Sequence, residues 1–127
     1  MKNIKITCKN APKAIGPYSH AVEASGKLLF VSGQLPVDPK TNKFVARGIV
    51  EQTQQALMNA KAILKTAGYE LTDICKTTVF LSDIQNFTAM NQVYAEILGE
   101  VNPARSAFEV ANLPLGALVE IELIASK

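Results

Sequence analysis

Small and apolar residues recur with a helical period in two segments of the chain. In the first segment they stand three or four positions apart, at Val50, Thr53, Leu57, Ala60, Leu64 and Ala67. In the second they stand at Phe87, Met90, Val93 or Tyr94, and Ile97 or Leu98. This spacing predicts two amphipathic helices whose apolar sides pack on a core, with Gly68 and Gly99 marking their C-terminal ends.

Other segments have the composition of strands. The run AVEASGKLLFVSG predicts a hairpin, with strands near residues 20–24 and 27–32 on either side of Ser25 and Gly26. The run ICKTTVFLS is rich in β-branched and aromatic residues, which favour a strand. A further short strand is expected at residues 3–7, and the run PVDPKTNKF has the turn residues of a polar loop.

The C-terminal run ARSAFEVANLPLGALVEIELIA contains two strand-like segments that carry charges. Because side chains alternate along a strand, Arg105 and Glu109 share one face of the first segment, while Glu120 and Glu122 share one face of the second. A turn between the segments predicts two antiparallel neighbours. A tight turn would place Arg105 opposite Glu120, and a longer turn would shift the register, so this pairing stays open.

The order of these elements, β-β-α-β-α-β-β, predicts an α+β protein with a mixed, mostly antiparallel sheet and two helices packed on one face. The 127 residues suit a single domain, residues 1–127, which is long enough to bury roughly two-thirds of its unfolded surface. No internal repeat or linker interrupts the chain.

Composition and charge exclude several classes of protein. With 19% charged residues and a net charge of +2 spread along the chain, the sequence lacks the basic stripe that binds nucleic acid. No apolar run approaches the length of a membrane span. Cys8 and Cys75 lie far apart and have no metal-ligand spacing, so we expect free thiols and a cytosolic protein without a bound metal.

The charged C-terminal strands have two interpretations. Arg105 could grip a carboxylate through two parallel hydrogen bonds, and Glu120 could hold or deprotonate a water. Alternatively, both residues could belong to a solvent-exposed sheet face, where ion pairs contribute about 0–1 kcal/mol. The pattern alone favours the exposed face.

The remaining candidates are weaker. His20 is the sole histidine, and a structural role is the simpler interpretation. Tyr18 follows a Gly-Pro turn, and packing is the simpler interpretation of it. Ser32 and Gly33 could offer a hydroxyl and an accessible backbone, but the end of a strand is the simpler interpretation. Asn91 borders the apolar side of the second helix, where a solvated amide is the default. The chain has no glycine-rich phosphate loop and no Ser/His/Asp set.

Four runs carry a resemblance to a known family: AIGPYSHAV, FVSGQLPVDP, KTTVFLSDIQNFTAMNQVYAE and NPARSAFEVANLPLGALVEIELIA. From about Asn10 to Ala125 the chain resembles the RidA/YjgF family of reactive-intermediate deaminases. The resemblance implies a chorismate-mutase-like fold assembled as a homotrimer, with clefts between subunits. It implies hydrolysis of enamines and imines, such as 2-aminoacrylate, 2-iminopropanoate and 2-iminobutanoate, to 2-keto acids and ammonia, without cofactor or metal.

Carried onto this sequence, the resemblance implies that Arg105 binds the substrate carboxylate and that Glu120 positions the attacking water. It implies that the cleft is lined by Tyr18, Ser32, Gly33, Asn91, Ser106 and Ala107. Well-known members carry cysteine where this chain has Ala107, which removes thiol chemistry but keeps a backbone contact. Two alternatives remain: a trimer that binds small 2-keto acids without turnover, and an RNA-directed translation inhibitor or ribonuclease, against which the near-neutral charge speaks.

Overall fold

The computed structural model describes residues 3–45 and 48–127. Over these residues the chain forms two α-helices, α1 (Ile49–Thr66) and α2 (Phe87–Leu98). It also forms eight strands: β1 (Ile4–Ile6), β2 (Ala21–Glu23), β3 (Leu28–Gln34), β4 (Val37–Asp38), β5 (Lys43–Phe44), β6 (Ile74–Leu81), β7 (Ala104–Glu109) and β8 (Val119–Ser126). The predicted α+β class and both predicted helices are confirmed.

A four-stranded sheet in the order β3-β8-β6-β7 forms the centre of the fold. Strand β8 is antiparallel to both β3 and β6, whereas β6 and β7 are parallel. Helix α2 connects β6 to β7, and such a helical crossover returns the chain in the same direction, which explains the parallel pair. Strands β1 and β2 form a separate antiparallel pair, as do β4 and β5.

The hairpin expected at residues 20–24 and 27–32 does not form, although both strands do. Strand β2 pairs with β1, and β3 pairs with β8. Gly26 turns the chain with φ +94°, and the backbones of Lys27 and Lys127 then exchange hydrogen bonds of 2.8 and 3.1 Å. These bonds guide the chain into the central sheet beside β8, so its partner is a strand almost one hundred residues away.

The C-terminal strands are not neighbours either, which corrects the predicted antiparallel pair. Strand β6 lies between β7 and β8. The connection from residue 110 to 118, with a helical turn at Pro114–Gly116, is long enough to carry the chain past β6. Strand β6 thus pairs with β7 on one edge and with β8 on the other.

The two helices cover one face of the sheet and build the core against it. Alternate strand residues such as Val79, Leu81 and Ile121 are fully buried there, and they pack with Leu64 of α1 and Leu98 of α2. Burying a side chain of this size contributes about 1.5–3 kcal/mol. None of the described helices is long and apolar enough to cross a membrane.

The opposite face of the sheet, which we call the open face, is left uncovered by the helices. It carries large apolar side chains, and Leu28, Phe30 and Phe108 are 53%, 69% and 44% exposed. Phe80 and Phe108 meet there edge to face, with ring centroids 5.6 Å apart. An apolar face of this kind is typical of a surface that contacts another molecule.

Candidate active site

Arg105 lies on the edge strand β7, on the helix-covered face of the sheet. Its register partner on β6 is Thr77, which is buried under α2. The guanidinium carbon lies 4.7 Å from the centroid of the Tyr94 ring, a distance at which a cation is attracted to an aromatic face. The Arg105 side chain is therefore directed towards α2.

Helix α2 presents three side chains to the Arg105 guanidinium. Phe87, Asn91 and Tyr94 are four and three residues apart, which places them on one side of the helix. Asn91 Oδ1 accepts a 2.6 Å hydrogen bond from Arg105 Nη1, and the Phe87 ring centroid lies 5.7 Å from the guanidinium carbon. Side chains from one helix face thus contact both the guanidinium carbon and its Nη1 atom.

The segment before β2, at residues 15–18, contacts the Arg105 guanidinium from the side opposite α2. The Tyr18 ring centroid lies 5.5 Å from the guanidinium carbon, and Tyr18 Oη accepts a 3.3 Å hydrogen bond from the backbone of Ile15. Gly16 lies close to the same group, since a Cβ at this position would be in van der Waals contact with Arg105 Nη2, at 3.4 Å. The resulting pocket of ≈ 250 Å³ is lined by Ile15, Gly16, Tyr18, Phe87, Asn91, Arg105 and Ala107.

The electrostatics of the pocket suit an anion. Burial lowers the pKa of Arg105, and the nearby Tyr94 and Tyr18 oppose that change. Burial likewise raises the pKa of Tyr94, so its hydroxyl stays neutral. Within residues 3–45 and 48–127, no carboxylate pairs with the Arg105 guanidinium, whose side-chain hydrogen bond goes to the neutral Asn91. A half-buried cation without a counter-charge favours binding of an anionic ligand.

Glu120 lies on the open face of the sheet and not in this pocket. Its register partner is Phe80, whose ring contacts Phe108 on that face. Arg105 is level with Thr77, which lies three residues from Phe80 along β6. Across the sheet, the strands of Arg105 and Glu120 are two strand spacings apart. These offsets separate the Cα atoms of Arg105 and Glu120 by roughly 14 Å. The register in which a tight turn would place Arg105 opposite Glu120 does not occur, and within one chain the two side chains lie on opposite faces of the sheet.

The other predicted site residues divide between the two faces. Tyr18, Asn91 and Ala107 lie with Arg105 in the pocket. Ser106 follows Arg105 on the strand and therefore points to the open face, where its Oγ accepts a 3.3 Å hydrogen bond from Lys76. Ser32 is exposed on the same face.

Gly33 lies against Glu120 at an irregularity in the β3–β8 pairing. A Cβ on Gly33 would overlap the Glu120 carboxylate, so glycine is needed here because of the close approach. The backbone of β3 and the carboxylate of β8 therefore form a second group of predicted residues, separate from the Arg105 pocket.

Sequence reasoning missed the contribution of Phe87 and Tyr94. Both belong to the apolar stripe of the second helix and were assigned to the core. The available signal was the polar Asn91 between two aromatic residues on one helix side. His20 has structural bonds: Nδ1 accepts a 2.9 Å bond from the Cys8 backbone, and Nε2 lies 2.7 Å from the Pro12 carbonyl oxygen.

Comparison with known proteins adds the family. The model of the family described as endoribonuclease L-PSP matches residues 8–127. A RutC family protein of Pyrococcus horikoshii is 54% identical over 127 residues, which cover 100% of this chain and 99% of that protein. The 2-iminobutanoate/2-iminopropanoate deaminase of Capra hircus is 48% identical over 120 residues, which cover 94% of this chain and 87% of that protein.

Solved structures agree with this relation. Escherichia coli TdcF with bound serine is 39% identical, with a TM-score of 0.75, and the match covers 98% of this chain and 98% of that one. The central sheet with its two helices and the pocket around Arg105 are therefore features of a chain that belongs to the RidA/YjgF family.

Proposed function

We propose that the protein hydrolyses 2-imino acids and their enamine tautomers to 2-keto acids and ammonia, with Arg105 as the carboxylate-binding residue. The observation that carries this proposal is the Arg105 guanidinium, half-buried among Tyr18, Phe87 and Tyr94 and without a carboxylate partner in the described chain. Deaminase-named relatives, such as the goat protein, support the reaction. The serine bound to TdcF carries the same α-carboxylate as these substrates.

The reaction needs little from the protein beyond positioning. The C2 atom of a 2-imino acid is already electrophilic, so water can attack it without an activated side-chain nucleophile. Water adds to C2 and gives a 2-amino-2-hydroxy acid, which loses ammonia and leaves the 2-keto acid. Holding the carboxylate on Arg105 and the water on a second group makes this attack effectively intramolecular.

Glu120 is our candidate for the group that holds the water. Its carboxylate can accept a proton from the attacking water and return it to the departing nitrogen. Because Glu120 and Arg105 of one chain lie on opposite faces of the sheet, Glu120 has to come from a neighbouring copy. The complete site is then shared between two subunits, with Gly33 beside Glu120 on one and Tyr18 and Asn91 beside Arg105 on the other.

The open face offers a surface for such an assembly. Leu28, Phe30 and Phe108 expose apolar area there, and association would remove this area from water. A homotrimer, with a chorismate-mutase-like arrangement, is the assembly that the family resemblance implies. We place the protein in the cytoplasm as part of the same proposal.

An assay with imines generated in situ tests the proposal. An amino-acid oxidase or dehydratase supplies the imine, and the formation of ammonia or keto acid is followed with wild type, Arg105→Ala and Glu120→Gln. We expect acceleration by the wild type, loss in Arg105→Ala and a large decrease in kcat for Glu120→Gln. Full activity of Arg105→Ala, or no acceleration by the wild type, would contradict the proposal.

A second candidate function is binding of small 2-keto acids without turnover. The position of Glu120 outside the Arg105 pocket favours it, because the pocket of a single chain holds the elements for carboxylate binding alone. In that case, 2-oxobutanoate would bind to the wild type and to Glu120→Gln with equal affinity, and neither would accelerate imine hydrolysis.

A further inference from the structure

Tyr94 has a second contact, which links it to the strand beside that of Arg105. Its hydroxyl lies 2.7 Å from Thr77 Oγ1, and both side chains are fully buried. Either hydroxyl can donate the hydrogen bond, and in both cases the bond anchors the hydroxyl end of the Tyr94 side chain. Thr77 is also the register partner of Arg105 in the parallel β6–β7 pair.

Arg105, Thr77 and Tyr94 each contact the other two. The strand pairing fixes the backbone of Arg105 beside Thr77, the hydroxyl bond fixes Tyr94 on Thr77, and the Tyr94 ring lies 4.7 Å from the Arg105 guanidinium. Tyr94 is the nearest of the three rings around this group, since Tyr18 and Phe87 lie at 5.5 and 5.7 Å. The position of the cation is thus set by the interior of the fold.

Asn91 cannot replace this contact. It accepts a single bond from Nη1 and therefore restrains one edge of the guanidinium. A ring beside the guanidinium carbon restrains the position of the whole group, and a bidentate grip on a carboxylate depends on that position. The bond to Thr77 anchors the hydroxyl end of the Tyr94 side chain and so keeps its ring beside the guanidinium.

We propose that Tyr94, held by Thr77, is a positioning residue that fixes the position of the Arg105 guanidinium for carboxylate binding. The proposal deepens the carboxylate-binding role of Arg105 given above and rests on it. Its consequence is that a hydroxyl pair buried away from the ligand controls affinity for the ligand.

A double-mutant cycle tests the pair. Tyr94→Phe keeps the ring and removes the hydroxyl, and Thr77→Val removes the other hydroxyl at nearly constant shape. We expect each single variant to weaken binding of 2-oxobutanoate, measured by titration calorimetry, by about 3- to 10-fold, because the Arg105 side chain would then be ordered only on binding. The double variant should be no weaker than either single variant, because all three lack the same bond.

The chain offers matched controls for general effects of these substitutions. Thr53→Val removes a fully buried hydroxyl that has no hydrogen-bond partner within residues 3–45 and 48–127, and Tyr69→Phe removes a hydroxyl whose 3.5 Å contact is with the Lys27 carbonyl oxygen. Neither residue lies in the pocket of Arg105. Both controls should bind 2-oxobutanoate like the wild type.

A second measurement does not depend on ligand binding. The sequence contains two arginines, Arg47 and Arg105, so an Arg105→Lys variant assigns the Arg105 guanidinium signals in nitrogen NMR spectra. In the free protein, we expect rotation of this guanidinium to be faster in Tyr94→Phe and Thr77→Val than in wild type and the two controls.

The outcomes separate the two proposals. Faster rotation together with weaker binding supports the positioning role. If the wild type binds 2-oxobutanoate but does not accelerate imine hydrolysis, the proposed hydrolysis fails, while faster rotation and weaker binding in the variants still support the positioning role. Unchanged rotation in both single variants, or an affinity equal to that of the controls, overturns the positioning role.

Discussion

A cation that is half-buried before any ligand arrives has already lost part of its hydration. Arg105 is in this state, since burial lowers its pKa while two tyrosines partly oppose the effect. A carboxylate entering the pocket therefore meets a guanidinium that needs little further desolvation or ordering. This preorganisation favours affinity, because the cost of arranging the site is met during folding.

Gly33 leads to a prediction at the residue scale. In Gly33→Ala the new methyl group overlaps the Glu120 carboxylate, which has to move. We expect kcat for imine hydrolysis to fall by about 10- to 100-fold, the scale of a misplaced catalytic group. Steady-state kinetics measures this change, and circular dichroism verifies the fold.

The background variant Glu120→Ala provides the control for Gly33. With the carboxylate removed, the added methyl group has nothing to displace. Gly33→Ala should therefore cause no further loss of activity in Glu120→Ala. A second large decrease in that background would show that Gly33 acts through some group other than Glu120.

At the scale of elements, β8 lies between β3 and β6 and under the helices. Ile121 of this strand is fully buried, so Ile121→Ala should reduce the free energy of unfolding by about 2–5 kcal/mol. Urea denaturation at a fixed protein concentration measures the loss. Ile63→Ala is the matched control, since Ile63 is 38% exposed on α1 and should cost far less. Equal losses would contradict the central position of β8.

How far the sequence predicts these elements depends on the range of the forces involved. Both helices were predictable because their period reflects local geometry, and strand β6 because its composition is distinctive. The pairing of β7 with β6 had a signal as well: a strand, a helix and a strand in succession favour parallel neighbours. That rule was outweighed by the apparent hairpin at residues 104–125.

The candidate site was predictable in part for the same reason. Alternation gives the face of each residue within its own strand, but relating Arg105 to Glu120 requires the order of strands, which long-range packing decides. The ring of Tyr94 was hidden for another reason: a residue can fill the core and contact a functional group at the same time. Apolar periodicity reports only the first of these roles.

At the scale of the whole molecule, a site shared between copies predicts complementation. Arg105→Ala and Glu120→Gln should each retain only a small residual activity alone. When the two variants are unfolded and refolded together, we expect about a quarter of the wild-type activity, because random assembly pairs an intact Arg105 with an intact Glu120 at one interface in four. The deaminase assay on the refolded mixture measures the recovery.

Each variant refolded with itself is the control for this experiment and should stay at its small residual activity. Absence of recovery in the mixture, with oligomers present by sedimentation, would contradict a site that combines residues of two copies. The same measurement reports how many copies assemble.

The central position of β8 also has a consequence for synthesis. Strand β8 is made after β3, β6 and β7, yet it is the strand that joins β3 to the rest of the sheet. While a ribosome is still adding residues before 119, β3 lacks its partner, and the apolar side of β6 is only partly covered. Pairings this distant in sequence form slowly. We therefore expect the nascent chain to remain without its complete sheet, and dependent on protection from aggregation, until its last strand has left the exit tunnel.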